Sequence, residues 1–152
     1  MNLIELLKSK NLYLATAESL TGGLVAAGIC NITGASQAFK GGIITYTKKA
    51  KCELLGLNQN DIDTYGVYSE ETAIAMAKGV KAELGVDAAI ATTGVAGPNC
   101  DESVDPGTVY FSFIIGDKVF SECKFFSGDR NSIRALAASY AIDKMTEILS
   151  EM

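Results

Sequence analysis

The chain has 152 residues, 48% of them hydrophobic, with 13 Lys and Arg against 18 Asp and Glu and a net charge of −5. That is the size of one domain, 1–152, with enough apolar side chains for a core, and its acidic balance argues against nucleic acid, whose binding needs a cationic face to displace counterions. It contains no histidine, which excludes Ser-His-Asp and Cys-His triads, histidine-ligated zinc and an imidazole base.

In chain order, Leu3, Ile4, Leu6 and Leu7 mark a short amphipathic helix, and Leu12 to Ala17 reads as a strand. The small apolar run GGLVAAGIC, from Gly22 to Cys30, fits a helix packed closely on a sheet. A β-branched and aromatic strand follows over 39–46, entered through Gly41 and Gly42. Thr47 is the expected N-cap of a helix over 48–55 that Gly56 ends. Ser69 opens another helix, with Thr72 in place of the usual Glu or Gln of a capping box, running to about Leu84.

Residues 87–93 form a compact buried-type strand, followed by the loop VAGPNCDESVDPG, long for so small a domain. Residues 107–126 predict a hairpin turning at Gly116-Asp117, with Val109, Phe111, Phe113 and Ile115 on one face. A final helix over about 131–149 carries Ile133, Leu136, Ala137, Tyr140, Ala141, Met145 and Ile148 on its apolar stripe. A hairpin within αβ alternation predicts an α/β fold, a three-layer α/β/α sandwich with a mixed sheet.

No apolar run approaches the ~20 residues of a membrane span, and MNLIELLKSKN lacks the features of a signal peptide, so a cytoplasmic protein with no membrane association is expected. Cys30, Cys52, Cys100 and Cys123 lie apart with no CxxC and read as reduced thiols, mostly in the core. Apolar surface on the hairpin predicts a homo-oligomer, a dimer or larger.

Four segments could carry chemistry. In TAESLTGG, Gly22 and Gly23 allow close approach to a helix N-terminus that favours an anion such as phosphate, while Ser19 and Thr21 either line that site or cap the helix. In TGASQAFKGGIITYTKKAK, Ser36 offers a hydroxyl, Tyr46 a phenol, and Lys48, Lys49 and Lys51 amines. A serine nucleophile without histidine needs another base, and a lysine half neutral at pH 7 needs its pKa lowered by about 3, or about 4 to 5 kcal/mol of environment. Lys51, one turn into its helix, is better placed in a pocket than Lys48 or Lys49.

In ATTGVAGPNCDESVDPGTV, Gly94, Gly97 and Thr108 are candidates for lining a site at the edge of the sheet, with Thr93 beside them. Asp101, Glu102 and Asp105 form an acidic cluster, read as a solvated loop or a cation-attracting site. In SGDR, Arg130 could grip phosphate or carboxylate in bidentate fashion, and Asp129 could cap the last helix.

These segments together resemble one family, the CinA C-terminal domain and its stand-alone form, the nicotinamide-nucleotide amidohydrolases. TAESLTGG is similar to its TAES-x-TGG motif, GASQAFKGGIITYTKKAK to G-S/A-S-x-x-F…G…TY-x-x-x-x-K, and YGVYSEETAIAMAKG to G-x-V-S-E-x-V-x-x-M-A-x-G. TTGVAGP, PGTVYF and FSGDR resemble SG-x-AGP, GTV-x-F and F-x-GDR. The resemblance implies deamidation of nicotinamide mononucleotide to nicotinate mononucleotide and ammonia, with no metal or other cofactor. It implies Ser36 as leading nucleophile, Lys51 as base and Tyr46 as an assisting phenol; Ser19 is the fallback nucleophile, and the glycine turns at Gly22 or Gly94 are the expected source of oxyanion-binding amides. The alternative is a non-catalytic nucleotide-binding module in a competence or DNA-damage setting. Thr93 stands where the family commonly has Ser, the loop PNCDES is less glycine-rich, and TKKAK replaces SNEAK, so that Lys49 is expected to lower the pKa of Lys51 further.

Overall fold

A computed structural model describes residues 1–152. Its helices are α1 (Leu3–Ser9), α2 (Leu24–Cys30), α3 (Lys48–Leu55), α4 (Gln59–Tyr65), α5 (Glu70–Leu84) and α6 (Arg130–Ser150). Its strands are β1 (Leu14–Glu18), β2 (Phe39–Ile44), β3 (Ala88–Gly94), β4 (Thr108–Ile115) and β5 (Lys118–Phe125). The five strands form one sheet in the order β2-β1-β3-β4-β5. β1 runs parallel to β2 and β3, whereas β3, β4 and β5 are antiparallel in turn. The expected mixed sheet with a C-terminal hairpin is the one found.

The alternation of side chains across the central strands separates two cores. Leu14, Ala88, Ile90, Val109, Phe111 and Phe113 face α1, α2 and α6. Ala15, Ala17, Ala89 and Ala91 face the opposite way, against Met76, Ala77 and Val80 of α5 and Leu55 at the end of α3. An alanine-lined face has little depth, so helices lie close to it and small errors of packing are felt. The three layers follow from these two faces.

The helix ends follow their expected chemistry. Thr47 caps α3 by accepting from the Ala50 amide, and Gly56 ends it in the left-handed region. Ser69 accepts from the Thr72 amide at the start of α5, and Thr72 in turn donates to the Gly66 carbonyl. Three features differ from expectation. α4 was not foreseen, because a helix of seven residues with one buried side chain, Ile62, has almost no apolar period to read. A short 3-10 turn covers Ala35–Gln37. The cysteines are not core residues, since Cys30, Cys100 and Cys123 are exposed and Cys52 is half-buried. No helix is long and apolar enough to cross a membrane.

Gly79 on α5 couples the fold to the site. A Cβ built there would lie 2.3 Å from the Leu55 carbonyl oxygen, so glycine is what lets α5 approach the end of α3. Helix propensity alone makes Gly→Ala stabilising by about 0.5–1 kcal/mol, but the clash reverses the sign. Gly79→Ala is expected to destabilise the protein by about 1–3 kcal/mol, read as a lower urea midpoint with unchanged slope. A higher midpoint would show that α3 and α5 do not pack as described.

Candidate functional site

The C-terminal ends of the parallel strands converge on one cavity. The β1–β2 crossover places α2 on one face of the sheet and the β2–β3 crossover places α5 on the other, so the chain reverses its winding at β1. In α/β sheets a crevice opens outside the strand ends at such a point. A cavity of about 240 Å³ lies there, lined among others by Ser19, Tyr46, Tyr68, Gly94, Gly97 and Arg130.

Lys51 lies behind the cavity wall and reaches it through Ser19. The residue is 1% exposed, and its Nζ donates to Ser19 Oγ at 2.9 Å and to the Thr45 carbonyl at 2.7 Å. No carboxylate pairs with it, so burial dominates and pushes its pKa down from 10.5 to about 8. Lys49 plays no part in this, because it points into solvent and pairs with Glu53 at 3.7 Å. The expected help from Lys49 is therefore corrected to desolvation of Lys51 itself. The Thr45 hydroxyl, also buried, has no hydrogen-bond partner.

Ser19 belongs to a turn built by its neighbour. Glu18 is 1% exposed, and its carboxylate accepts from the amides of Gly23 at 3.1 Å, Val25 at 2.8 Å and Ala26 at 3.0 Å. It thus fills the N-terminus of α2 with a negative charge of the protein's own. This corrects the reading of TAESLTGG as an anion cradle: the Gly23 amide is spent on Glu18, and the Gly22 amide on the Ser19 carbonyl. Nor does the Thr21 side chain cap the helix, since its hydroxyl pairs with that of Thr92 at 2.8 Å. The amides of Leu20 and Thr21, immediately after Ser19, have no acceptor in the protein.

Ser36 is not part of this arrangement. It is exposed in the 3-10 turn before β2, in a separate groove with Cys30, Thr33 and Lys40. Lys51 follows the other end of β2, and the six residues of that strand put about 20 Å between the two ends. The expected pairing of Ser36 with Lys51 is corrected accordingly: Ser19 is the hydroxyl that Lys51 touches.

Tyr46 is half exposed, and its hydroxyl accepts from Arg130 Nη2 at 2.6 Å rather than meeting Lys51. Arg130 Nη1 also donates to the Gly97 carbonyl at 2.5 Å. Tyr46 thus braces Arg130 beside the cavity. Thr93 and Thr108 do not line the cavity: the buried Thr93 hydroxyl donates to the Val67 carbonyl at 2.9 Å, and the Thr108 backbone pairs with Val95. Gly94 does line it and leaves no room for a side chain, a Cβ there falling 2.5 Å from the Thr108 carbonyl oxygen.

The acidic loop is held against the site. Tyr68 donates to Asp101 at 2.5 Å, and Lys48 pairs with Glu102. Burial first, and then Asp101, raise the Tyr68 pKa well above its ordinary value. Sequence reasoning named neither Glu18 nor Tyr68. The available signal for Glu18 was a carboxylate ending an otherwise apolar strand.

Comparisons with known proteins bear on the family and the fold. A family model described as the CinA C-terminal domain matches residues 1–149. A nicotinamide-nucleotide amidohydrolase PncC from Enterobacter agglomerans is 41% identical over 138 residues, 90% of this chain and 84% of that protein. A CinA-like protein from Kosmotoga olearia is 41% identical over 92% of this chain, which spans about a third of that relative's length (34%). Among solved structures, a competence-damaged protein (CinA) superfamily protein from Escherichia coli superposes with a TM-score of 0.92 at 32% identity, covering 95% of this chain and 84% of that one.

A buried lysine with a lowered pKa has a stability signature. Between about pH 8 and 10.5 the unfolded chain binds a proton that the folded chain has lost, so stability rises with pH across that window. Below it the folded state carries the full cost of the buried charge, about 3 kcal/mol. In urea unfolding, wild type is expected to gain about 3 kcal/mol relative to Lys51→Met on going from pH 7 to 10.5. A difference that stays constant with pH would mean that the amine is not desolvated.

Proposed function

Because the chain belongs to the CinA C-terminal domain family, we propose that it is an amidohydrolase that converts nicotinamide mononucleotide to nicotinate mononucleotide and ammonia, with Ser19 as nucleophile and Lys51 as base. The observation that carries this reading is the 2.9 Å contact between the buried Lys51 amine and the hydroxyl of Ser19, which lines the cavity at the strand ends. The amidohydrolase name of a relative aligned over most of both chains supports the substrate class.

The chemistry needs nothing that this arrangement lacks. Neutral Lys51 takes the Ser19 proton as Oγ attacks the carboxamide carbon, and the carbonyl oxygen becomes an oxyanion. The unpaired amides of Leu20 and Thr21, next to Ser19 in the chain, would serve as donors for that charge. Lys51 then returns the proton to the departing nitrogen, which leaves as ammonia. A water, deprotonated by the same amine, cleaves the acyl ester and regenerates Ser19. The Thr45 carbonyl, the second acceptor of Nζ, holds the amine through both steps.

Ammonia release from nicotinamide mononucleotide tests the assignment. Ser19→Ala is expected to lose about a thousandfold or more in kcat, Lys51→Ala about a hundredfold or more, and Ser36→Ala less than about twofold. Full activity in Ser19→Ala, or its loss in Ser36→Ala, would overturn the choice of nucleophile. Saturable nucleotide binding without turnover in wild type would favour a non-catalytic binding module.

The pH profile checks the base separately. Neutral amine is the active form, so kcat/KM should climb about tenfold per pH unit below pH 8 and level off above about 8. A flat profile from pH 6 to 9 would contradict a lysine base.

A further inference from the structure

The chain contains only two arginines, Arg130 and Arg134, one turn apart on α6. Neither has a carboxylate partner, although the protein carries a net charge of −5 and every ion pair it forms uses a lysine. The nearest acid in sequence, Asp129, spends its carboxylate on the Ser132 amide at the start of the helix. In an acidic protein two guanidiniums left without acids are unusual, because surface arginines readily find carboxylates.

Both are nevertheless held in place. Arg130 is fixed by Gly97 and Tyr46, as described. Arg134, half-buried, donates from Nε to the Leu20 carbonyl at 2.8 Å, and its Nη2 lies 3.0 Å from where a Gly22 Cβ would stand. Leu20 lines the cavity, so Arg134 flanks the turn that presents Ser19. Its two terminal nitrogens make no hydrogen bond within the protein. The Cβ atoms of residues four apart on a helix lie about 5–6 Å from each other, a spacing from which two guanidiniums can reach one tetrahedral anion. The alternative anion site, the N-terminus of α2, is already filled by Glu18.

We propose that Arg130 and Arg134 together seat a phosphate monoester at the mouth of the cavity, with Arg134 the residue that distinguishes a nucleotide from the corresponding nucleoside. The identity of the rest of the ligand rests on the mononucleotide reading above; the phosphate seat does not depend on turnover.

Calorimetric titration with nicotinate mononucleotide and nicotinate riboside, neither of which carries an amide to cleave, tests it on wild type, Arg134→Gln and Arg134→Lys. Arg134→Gln should bind the phosphate ester about ten- to a hundredfold more weakly and the riboside as wild type does, with Arg134→Lys between the two. Inorganic phosphate should compete with the ester on wild type and lose that effect in Arg134→Gln. Unchanged ester affinity in Arg134→Gln, or equal loss for ester and riboside, would overturn the proposal, the latter by showing that Arg134 only holds Leu20. Phosphate-dependent binding without ammonia release would sink the amidohydrolase and leave the seat standing. Equal kcat/KM for nicotinamide mononucleotide and nicotinamide riboside would do the reverse.

Discussion

A single buried amine sets the terms for the rest of the structure. Lys51 sits with 1% exposure and no counter-ion, a placement that disfavours its charged form and would be relieved if the side chain could swing into water. It is kept inside by rigid parts. Thr47 and Gly56 fix the two ends of α3, and α5 presses on that helix through the gap at Gly79. The Thr45 carbonyl, at the end of β2, gives the amine one fixed acceptor, so that its other contact is Ser19. Desolvation lowers the basicity of the amine, and the same walls aim it.

The turn after β1 solves a second problem with a buried charge. A helix N-terminus normally leaves amides free for a ligand, but here Glu18 takes three of them. That carboxylate needs the amides as much as they need it, since an unpaired buried charge costs several kcal/mol. The mutual satisfaction stiffens the segment from 18 to 26 and leaves the Leu20 and Thr21 amides as the unspent donors beside Ser19. Gly22 and Gly23, at φ of 55° and 105°, are required by the tightness of this turn and by the approach of Arg134, rather than by a phosphate.

The sheet, its hairpin and most helix limits were legible because they rest on local signals: alternation in 109–115, the caps Thr47 and Ser69, and glycines at 56, 85 and 116. Lys51 was legible for a related reason, since its position one turn into a capped helix predicts burial on the inner face. The choice between Ser19 and Ser36 was not. Both lie in polar, small-residue segments near an apolar strand, and only the parallel pairing of Glu18 with Ile44 shows that the end of β1, not the start of β2, adjoins Lys51. Glu18 was hidden by the same cause, because a carboxylate reads as exposed until the helix that it caps is folded against it. Arg134 has no motif of its own; its meaning comes from the carbonyl it reaches, 114 residues earlier in the chain.

The absence of histidine then ties the two ends of the cavity together. An imidazole base works near neutrality without much help from burial, whereas an amine must be held in a dry site to approach it, and at a pKa of about 8 about a tenth of it is neutral at pH 7. A base of that kind cannot tolerate anionic groups beside it, since each would favour the charged form. Their charges are engaged elsewhere: Glu18 is sealed into the start of α2, Asp101, which lines the cavity, is held by Tyr68, and Glu102 pairs with Lys48. An anionic ligand group would therefore belong with the arginines of α6, of which Arg134 holds the Leu20 carbonyl next to Ser19. On the proposed reading, the division of cations, lysine buried for proton transfer and arginine at the mouth for charge, follows from building a site around a desolvated amine.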